Sequence, residues 1–175
     1  MVDKEQGKSI MIEVVERYSS VERNPKLIKE RVLSEQDITT KFVLPMLRAL
    51  NWDAYKITTE GPEVHEKAFR EKSDVGKGLP DVTLKNENGT VYVEVKRPGE
   101  IRKGIANLER YGDADLIVLT TFKDLRIYTC RREEEPRKRF DYTFDQYVTE
   151  FDQLWKILSN SKQGKDTRTA IKATR

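Results

Sequence analysis

Apolar positions recur along the chain with two different periods, and the changes of period divide it into elements. Over residues 8–20, KSIMIEVVERYSS, Ile10, Met11, Val14, Val15 and Tyr18 fall on one helical face. Asn24-Pro25 breaks that pattern. SEQDITTKFVLPMLRALNW then predicts a second helix, with Ser34 as N-cap, Asp37 closing a capping box, and Ile38, Phe42, Met46 and Ala49 on one side. Pro45 inside it predicts a kink, and Asn51 a left-handed exit. Ala54–Thr58 reads as a strand and the polar residues 60–79 as a loop. Residues 80–96 alternate with period two about Asn88-Gly89, a hairpin signature. GEIRKGIANLERYG returns to helical spacing, with Ile101, Ile105, Leu108 and Gly112 on one stripe. DLIVLTT and LRIYTC read as strands, residues 131–139 as a charged loop, and FDQYVTEFDQLWKIL as an amphipathic helix. Trp52 and Trp155 fall at core positions. The predicted order α-α-β-β-β-α-β-β-α gives an α/β fold, a mixed central β-sheet flanked by helices.

The hairpin raises a chemical question. A two-residue type I′ turn at Asn88-Gly89 would pair Glu87 with Thr90, Glu94 with Thr83 and Lys96 with Asp81. One face would then carry Val82, Leu84, Val91, Val93 and Val95, and the other Asp81, Thr83, Tyr92, Glu94 and Lys96. A one-residue slip would mix the faces; a two-residue slip would keep the faces and change the partners. In the first register Asp81 and Glu94 are diagonal neighbours, roughly 7–8 Å apart. Two carboxylates so placed would share a hard cation, and Lys96 would reach a water or phosphate oxygen beside it. The plainer alternative is a surface salt bridge across two strands.

Composition narrows the chemistry. The 175 residues suit one domain with a real core, and 36% of them are charged. A single cysteine, Cys130, precludes an internal disulfide and fits a reducing, cytoplasmic setting. With one histidine, Cys/His zinc sites are excluded, so any metal would be oxygen-bound Mg²⁺, with Mn²⁺ as substitute. Apolar runs are too short to span a bilayer, and no signal-peptide pattern opens the chain. Net charge is +3, and it collects at the end, in Lys162, Lys165, Arg168, Lys172 and Arg175. We divide the chain into an N-terminal helical extension (1–33), an α/β domain (34–160) and a basic tail or linker (161–175), the tail being either a solvated end or an arm for phosphates.

Pro80-Asp81 followed by Glu94-Val95-Lys96 resembles the signature of the PD-(D/E)XK nucleases. SEQDITTKFVLPMLRALNWD, with Glu35 at its start, is similar to that family's first helix, and NLERY with DLIVLTTFKDLRIYT to the helix and strands after the catalytic lysine. The likeness covers roughly Ser34 to Thr129 and is closest to the N-terminal nuclease domain of type I restriction subunits and of fused restriction–modification enzymes. It implies a restriction-endonuclease-like core (αβββαβ) and Mg²⁺-dependent hydrolysis of DNA phosphodiesters. Further restriction–modification domains or subunits would be partners. By position, Asp81, Glu94 and the Val95 carbonyl would hold the metal, Glu35 would assist, and Lys96 would orient or activate water. Glu35 is equally a first-turn acid favoured by the helix dipole. Where relatives carry Gln and Tyr on the following helix, this chain has Asn107 and Tyr111; Asn is shorter, and Tyr111 borders the apolar stripe. Lys77, beside Gly78, and Arg97 are candidate phosphate contacts, the first equally a solvated loop residue; His65 reads as surface. A noncatalytic DNA- or protein-binding scaffold on the same fold, or a repair or junction nuclease, are the competing functions.

Overall fold

The computed structural model describes residues 2–24, 33–52, 80–86, 89–111, 114–129 and 134–174. The strand expected at Ala54–Thr58 and the loop carrying His65, Lys77 and Gly78 lie outside these residues. The elements are α1 (Lys4–Glu22), α2 (Glu35–Ile38), a π-turn (Thr39–Val43), α3 (Leu44–Ala49), β1 (Val82–Asn86), β2 (Gly89–Val95), α4 (Ile101–Ile105), a 3-10 turn (Leu108–Tyr111), β3 (Leu116–Thr120), β4 (Asp124–Thr129), β5 (Arg137–Thr143), α5 (Gln146–Thr149), α6 (Phe151–Leu158) and α7 (Lys162–Ala173). The five strands form one mixed sheet in chain order. Only β2 and β3 run parallel; the other neighbours are antiparallel. No helix among the described residues is long and apolar enough to cross a membrane.

One face of the sheet packs on α1, α3 and α6. Val82, Leu84, Val91, Val93 and Val95 enter this core with Val118, Leu125 and Ile127. From the helices come Met11, Tyr18, Phe42, Met46 and Phe151. The helix at the N-terminus is thus part of the main core. Ser34 caps α2 with the expected box, its hydroxyl accepting from Asp37 N–H while Asp37 accepts from Ser34 N–H. Pro45 lacks an N–H and its ring crowds the preceding turn. The chain answers with the π-turn, in which Leu44 N–H reaches back to Thr39 O, and the helix resumes as α3. Asn51 leaves in the left-handed region at φ 64°.

Four expectations need correcting. The hairpin pairs Thr83 with Tyr92 and Asn86 with Gly89, so Glu94 is not opposite Thr83, nor Lys96 opposite Asp81. The register is displaced by two residues, which preserves both faces because side chains alternate with period two. The stripe after β2 runs through Ile101, Gly104, Leu108 and Tyr111: Gly104 is the residue of α4 that lies against Leu119, which turns Ile105 outward, and the following 3-10 turn brings in Leu108 and Tyr111. Residues 137–143, within and beyond the expected charged loop, form β5, an edge strand whose Arg137 and Lys138 face solvent. Residues 162–173 form α7, capped by Ser161, where a basic tail or linker, solvated or an arm for phosphates, was expected.

Arg168 explains why that basic segment folds back. It is 1% exposed, and its Nη1 donates to Ile157 O at 3.1 Å and Ser159 O at 2.9 Å. These carbonyls close the end of α6, where a cation is favoured by the helix dipole. Its guanidinium carbon lies 6.0 Å from the centre of the Trp52 ring. Trp52 in turn donates to Leu158 O at 2.7 Å.

Candidate active site

The second face of the sheet carries the polar residues of the hairpin, and it is not open to water. Ile101, Leu108 and Tyr111 from the crossing segment pack there on Ile117, Leu119 and Tyr128. Under this smaller apolar layer Glu94 is 1% exposed and Lys96 8%. A carboxylate at that depth must be paired and hydrogen-bonded to stay charged. Glu94 is: its Oε1 lies 2.8 Å from Lys96 Nζ and accepts from Asn107 Nδ2 at 3.0 Å, and its Oε2 accepts from Tyr111 OH at 3.0 Å. The shorter Asn107 therefore does reach the site, and Tyr111 both packs and donates. The surface-salt-bridge alternative for the hairpin does not describe this burial.

Lys96 is the hub. Its Nζ donates to Val95 O at 2.9 Å and lies 3.5 Å from Glu35 Oε1, which comes from the first turn of α2. Its backbone N–H donates to Thr120 O at 2.8 Å, extending the parallel β2–β3 pairing past the end of the strand. Asp81 sits just before β1, and its Oδ2 accepts from Val95 N–H at 2.7 Å. Asp81, Glu94, Val95, Lys96, Glu35, Asn107 and Tyr111 are thus gathered in one place. Arg97 is half-buried immediately beyond Lys96. Lys77 lies outside the described residues.

Sequence reasoning missed Gly104. A methyl at this position would stand 2.3 Å from Leu119 Cδ1 and 3.3 Å from Lys96 Cγ. Its hydrogen lets α4 lie directly over β3 and press the lysine stem toward Glu94. A glycine within a helical stripe was the available signal.

Electrostatics follow from this packing. Burial alone would lower the Lys96 pKa, but the hydrogen bond and charge of Glu94, then the charges of Asp81 and Glu35, outweigh it and hold the ammonium above its ordinary value. The Tyr111 phenol is pushed up by burial, by Glu94 and by Asp81. Elsewhere Tyr18 and Tyr147 are raised mainly by burial, and Tyr142 is pushed up to about 12 by burial and Glu150. All these groups keep their proton in the fold at a pH where the unfolded chain releases it. The unfolded state then binds fewer protons, so stability is fully present below about pH 10 and falls above it. On alkaline titration, the tyrosinate absorbance of these four of the seven tyrosines should appear only together with loss of far-UV dichroism. Four tyrosines ionising in a still-folded protein would contradict the burial described here.

The donors suit a hard cation. Glu94 Oε1, Glu35 Oε1 and Val95 O are all oxygen, and they converge on the point held by Lys96 Nζ. Among the described residues no three acidic, histidine or cysteine side chains stand close enough together to hold an ion as they are arranged. Comparison with family models, curated proteins and solved structures yields no match to this chain.

Proposed function

We propose that the chain is a metal-dependent nuclease domain with a restriction-endonuclease-like core, hydrolysing phosphodiester bonds of DNA with Mg²⁺. The observation that carries this reading is the convergence of Glu94, Glu35 and the Val95 carbonyl on Lys96, with Asp81 bound to the intervening Val95 N–H. Glu94, Glu35, Val95 O and Asp81 would hold the ion, which when bound supplies charge stabilisation at a phosphoryl oxygen and an acidified water. Lys96, kept as an ammonium by its carboxylate neighbours, donates hydrogen bonds; it orients water and offsets negative charge on the phosphoryl group. Tyr111, on Oε2, and Asn107, on the Oε1 that Lys96 also holds, fix the Glu94 carboxylate, so its plane is set before any ion arrives. The apolar layer of Ile101, Leu108 and Tyr111 keeps bulk water from this carboxylate. A place in a restriction system rests on the resemblance of the motifs.

One observation favours a second reading, a noncatalytic scaffold: Glu94 is already satisfied by Lys96, Asn107 and Tyr111. Calorimetric titration with MnCl₂ and a plasmid-nicking assay separate the two. The nuclease reading expects saturable Mn²⁺ binding and nicking in Mg²⁺ that EDTA and Asp81→Asn both remove. Absence of both heat and nicking in the unaltered, folded chain would assign the scaffold. Duplex, single-stranded and branched substrates in the same assay distinguish restriction from repair or junction cleavage.

A further inference from the structure

A cavity of about 260 Å³ opens at the sheet edge, between the end of β4, the start of β5 and the last turn of α7. That is several times the ~30 Å³ share of one water in the liquid. Among the described residues its cations are Arg137, Arg139 and Lys172. We propose that it is an anion site, built to take a phosphate group, and that it is independent of the Lys96 centre.

The backbone places Arg139 there. Strand pairing joins Tyr128 to Lys138 and Ile127 to Phe140, so Arg139 is the extra residue of a β-bulge. Bulges turn a side chain out of the regular alternation. Here the guanidinium is turned onto Thr129, with Nε donating to Thr129 Oγ1 at 2.9 Å and Nη2 to Thr174 O at 2.6 Å. Both acceptors are neutral, and among the described residues no carboxylate lies within ion-pair distance of Arg139. It is thus oriented without being neutralised. A guanidinium has five N–H donors in a flat fork; two are engaged, and the rest remain to meet paired phosphate oxygens.

Lys172 is also held in place, but with a counter-ion: its Nζ donates to Ala114 O at 2.9 Å and pairs with Asp115 Oδ1 at 3.5 Å. Two carboxylates, Glu134 and Glu135, also line the cavity. They sit on exposed residues ahead of β5, and Glu134 approaches Arg137 only to 3.9 Å, both side chains being largely in solvent. So Arg139 is fixed by a backbone carbonyl and a buried threonine and Lys172 by a backbone carbonyl and Asp115, while Glu134 and Glu135 sit on exposed residues. The basic run at the chain's end therefore contributes through Lys172 to a shaped pocket, in place of a loose arm.

Phosphate oxygens reach such a pocket from a DNA backbone or from a free phosphate compound. The test uses the whole chain in EDTA and low-salt chloride buffer, which removes cleavage from consideration. Pyrophosphate is titrated while the amide resonances of Thr129, Arg139 and Thr174 are followed. Saturable shifts are expected, with affinity lowered at least tenfold in Arg139→Gln, lowered likewise in Lys172→Met, and raised in Glu135→Gln. A short duplex that moves the same resonances and competes with pyrophosphate identifies the source as DNA backbone; a duplex without effect identifies a free phosphate compound. Unchanged resonances with both probes, or equal pyrophosphate affinity in folded Arg139→Gln and Lys172→Met, would overturn the proposal. Failure of Mn²⁺ binding at the Lys96 centre leaves this outcome untouched.

Discussion

Lys96→Met is expected to lose DNA cleavage by about 10²–10⁴-fold, the range for removing a positioned donor at a reacting group, and yet to bind Mn²⁺ more tightly. The two effects have one origin. Lys96 Nζ stands among the same oxygens that would receive the ion, 2.8 Å from Glu94 Oε1 and 2.9 Å from Val95 O. In the unaltered chain an incoming cation must displace an ammonium from a buried carboxylate; the methionine offers no competing charge. Without metal the variant leaves Glu94 buried and short of its counter-ion, which costs about 3–5 kcal/mol in comparable pairs. Asn107 and Tyr111 still donate to Glu94, so the lower end of that range applies. Ion binding at a hundredfold excess over Kd returns about 2.7 kcal/mol. Thermal unfolding with and without MnCl₂ reads this directly: a lowered midpoint for the metal-free variant, and a larger rise on adding Mn²⁺ than in the unaltered chain. Weaker Mn²⁺ binding by Lys96→Met would show that the lysine helps to assemble the ion's place and does not compete for it.

Gly7→Ala should be strongly destabilising. Helix propensity alone predicts a gain of about 1 kcal/mol. Packing decides otherwise: the new methyl would lie 2.2 Å from Ala49 O, a backbone atom, and 3.0 Å from the Trp155 ring. A carbonyl at a helix end cannot swing away as a side chain can, so α1 must lift from α3 and α6. Overpacking costs about 1–3 kcal/mol, occasionally more. The displaced helix also loosens Met11, Val14 and Tyr18, now 0–2% exposed, each worth about 1.5–3 kcal/mol when fully buried. A net loss of about 3 kcal/mol lowers the midpoint by roughly 6–12 °C in a chain of this size. Denaturant unfolding measures it; an unchanged or raised stability would mean that α1 approaches α3 less closely than described.

How much of this was legible in the chain depends on which physical rule each feature obeys. The two faces of the hairpin were, because alternation depends only on strand period; Glu94 and Lys96 share a face in either register. Their partners were not, because register depends on the turn, and reading Asn88-Gly89 as a two-residue turn displaced it. The cap at Ser34, the exit at Asn51 and the buried strand Leu116–Thr120 follow from local rules and were readable. The burial of Glu94 was not: a carboxylate in an alternating strand reads as solvent-facing, and only the crossing segment with Ile101 and Leu108 covers it. Ile105 was misplaced because the short helix α4 buries Ile101 and Gly104, three apart, and so turns Ile105 to solvent. β5 and α7 were missed for a shared reason, since their charges hide elements that owe their order to tertiary contacts. The Asp81, Glu94, Lys96 and Glu35 set was named from its motif, and the fold gathers it; Gly104, which makes room for it, carries no chemistry of its own.

The buried guanidinium at Arg168 has a consequence for where this fold is taken to end. A boundary drawn by charge would fall near residue 160, between an apolar helix and a basic segment. That cut would strip the seal from the last carbonyls of α6 and uncover one side of the Trp52 indole. A shortened chain of that design would be a wounded protein, whatever its hydropathy profile promised, because a single buried arginine ties a mostly exposed basic helix to the interior.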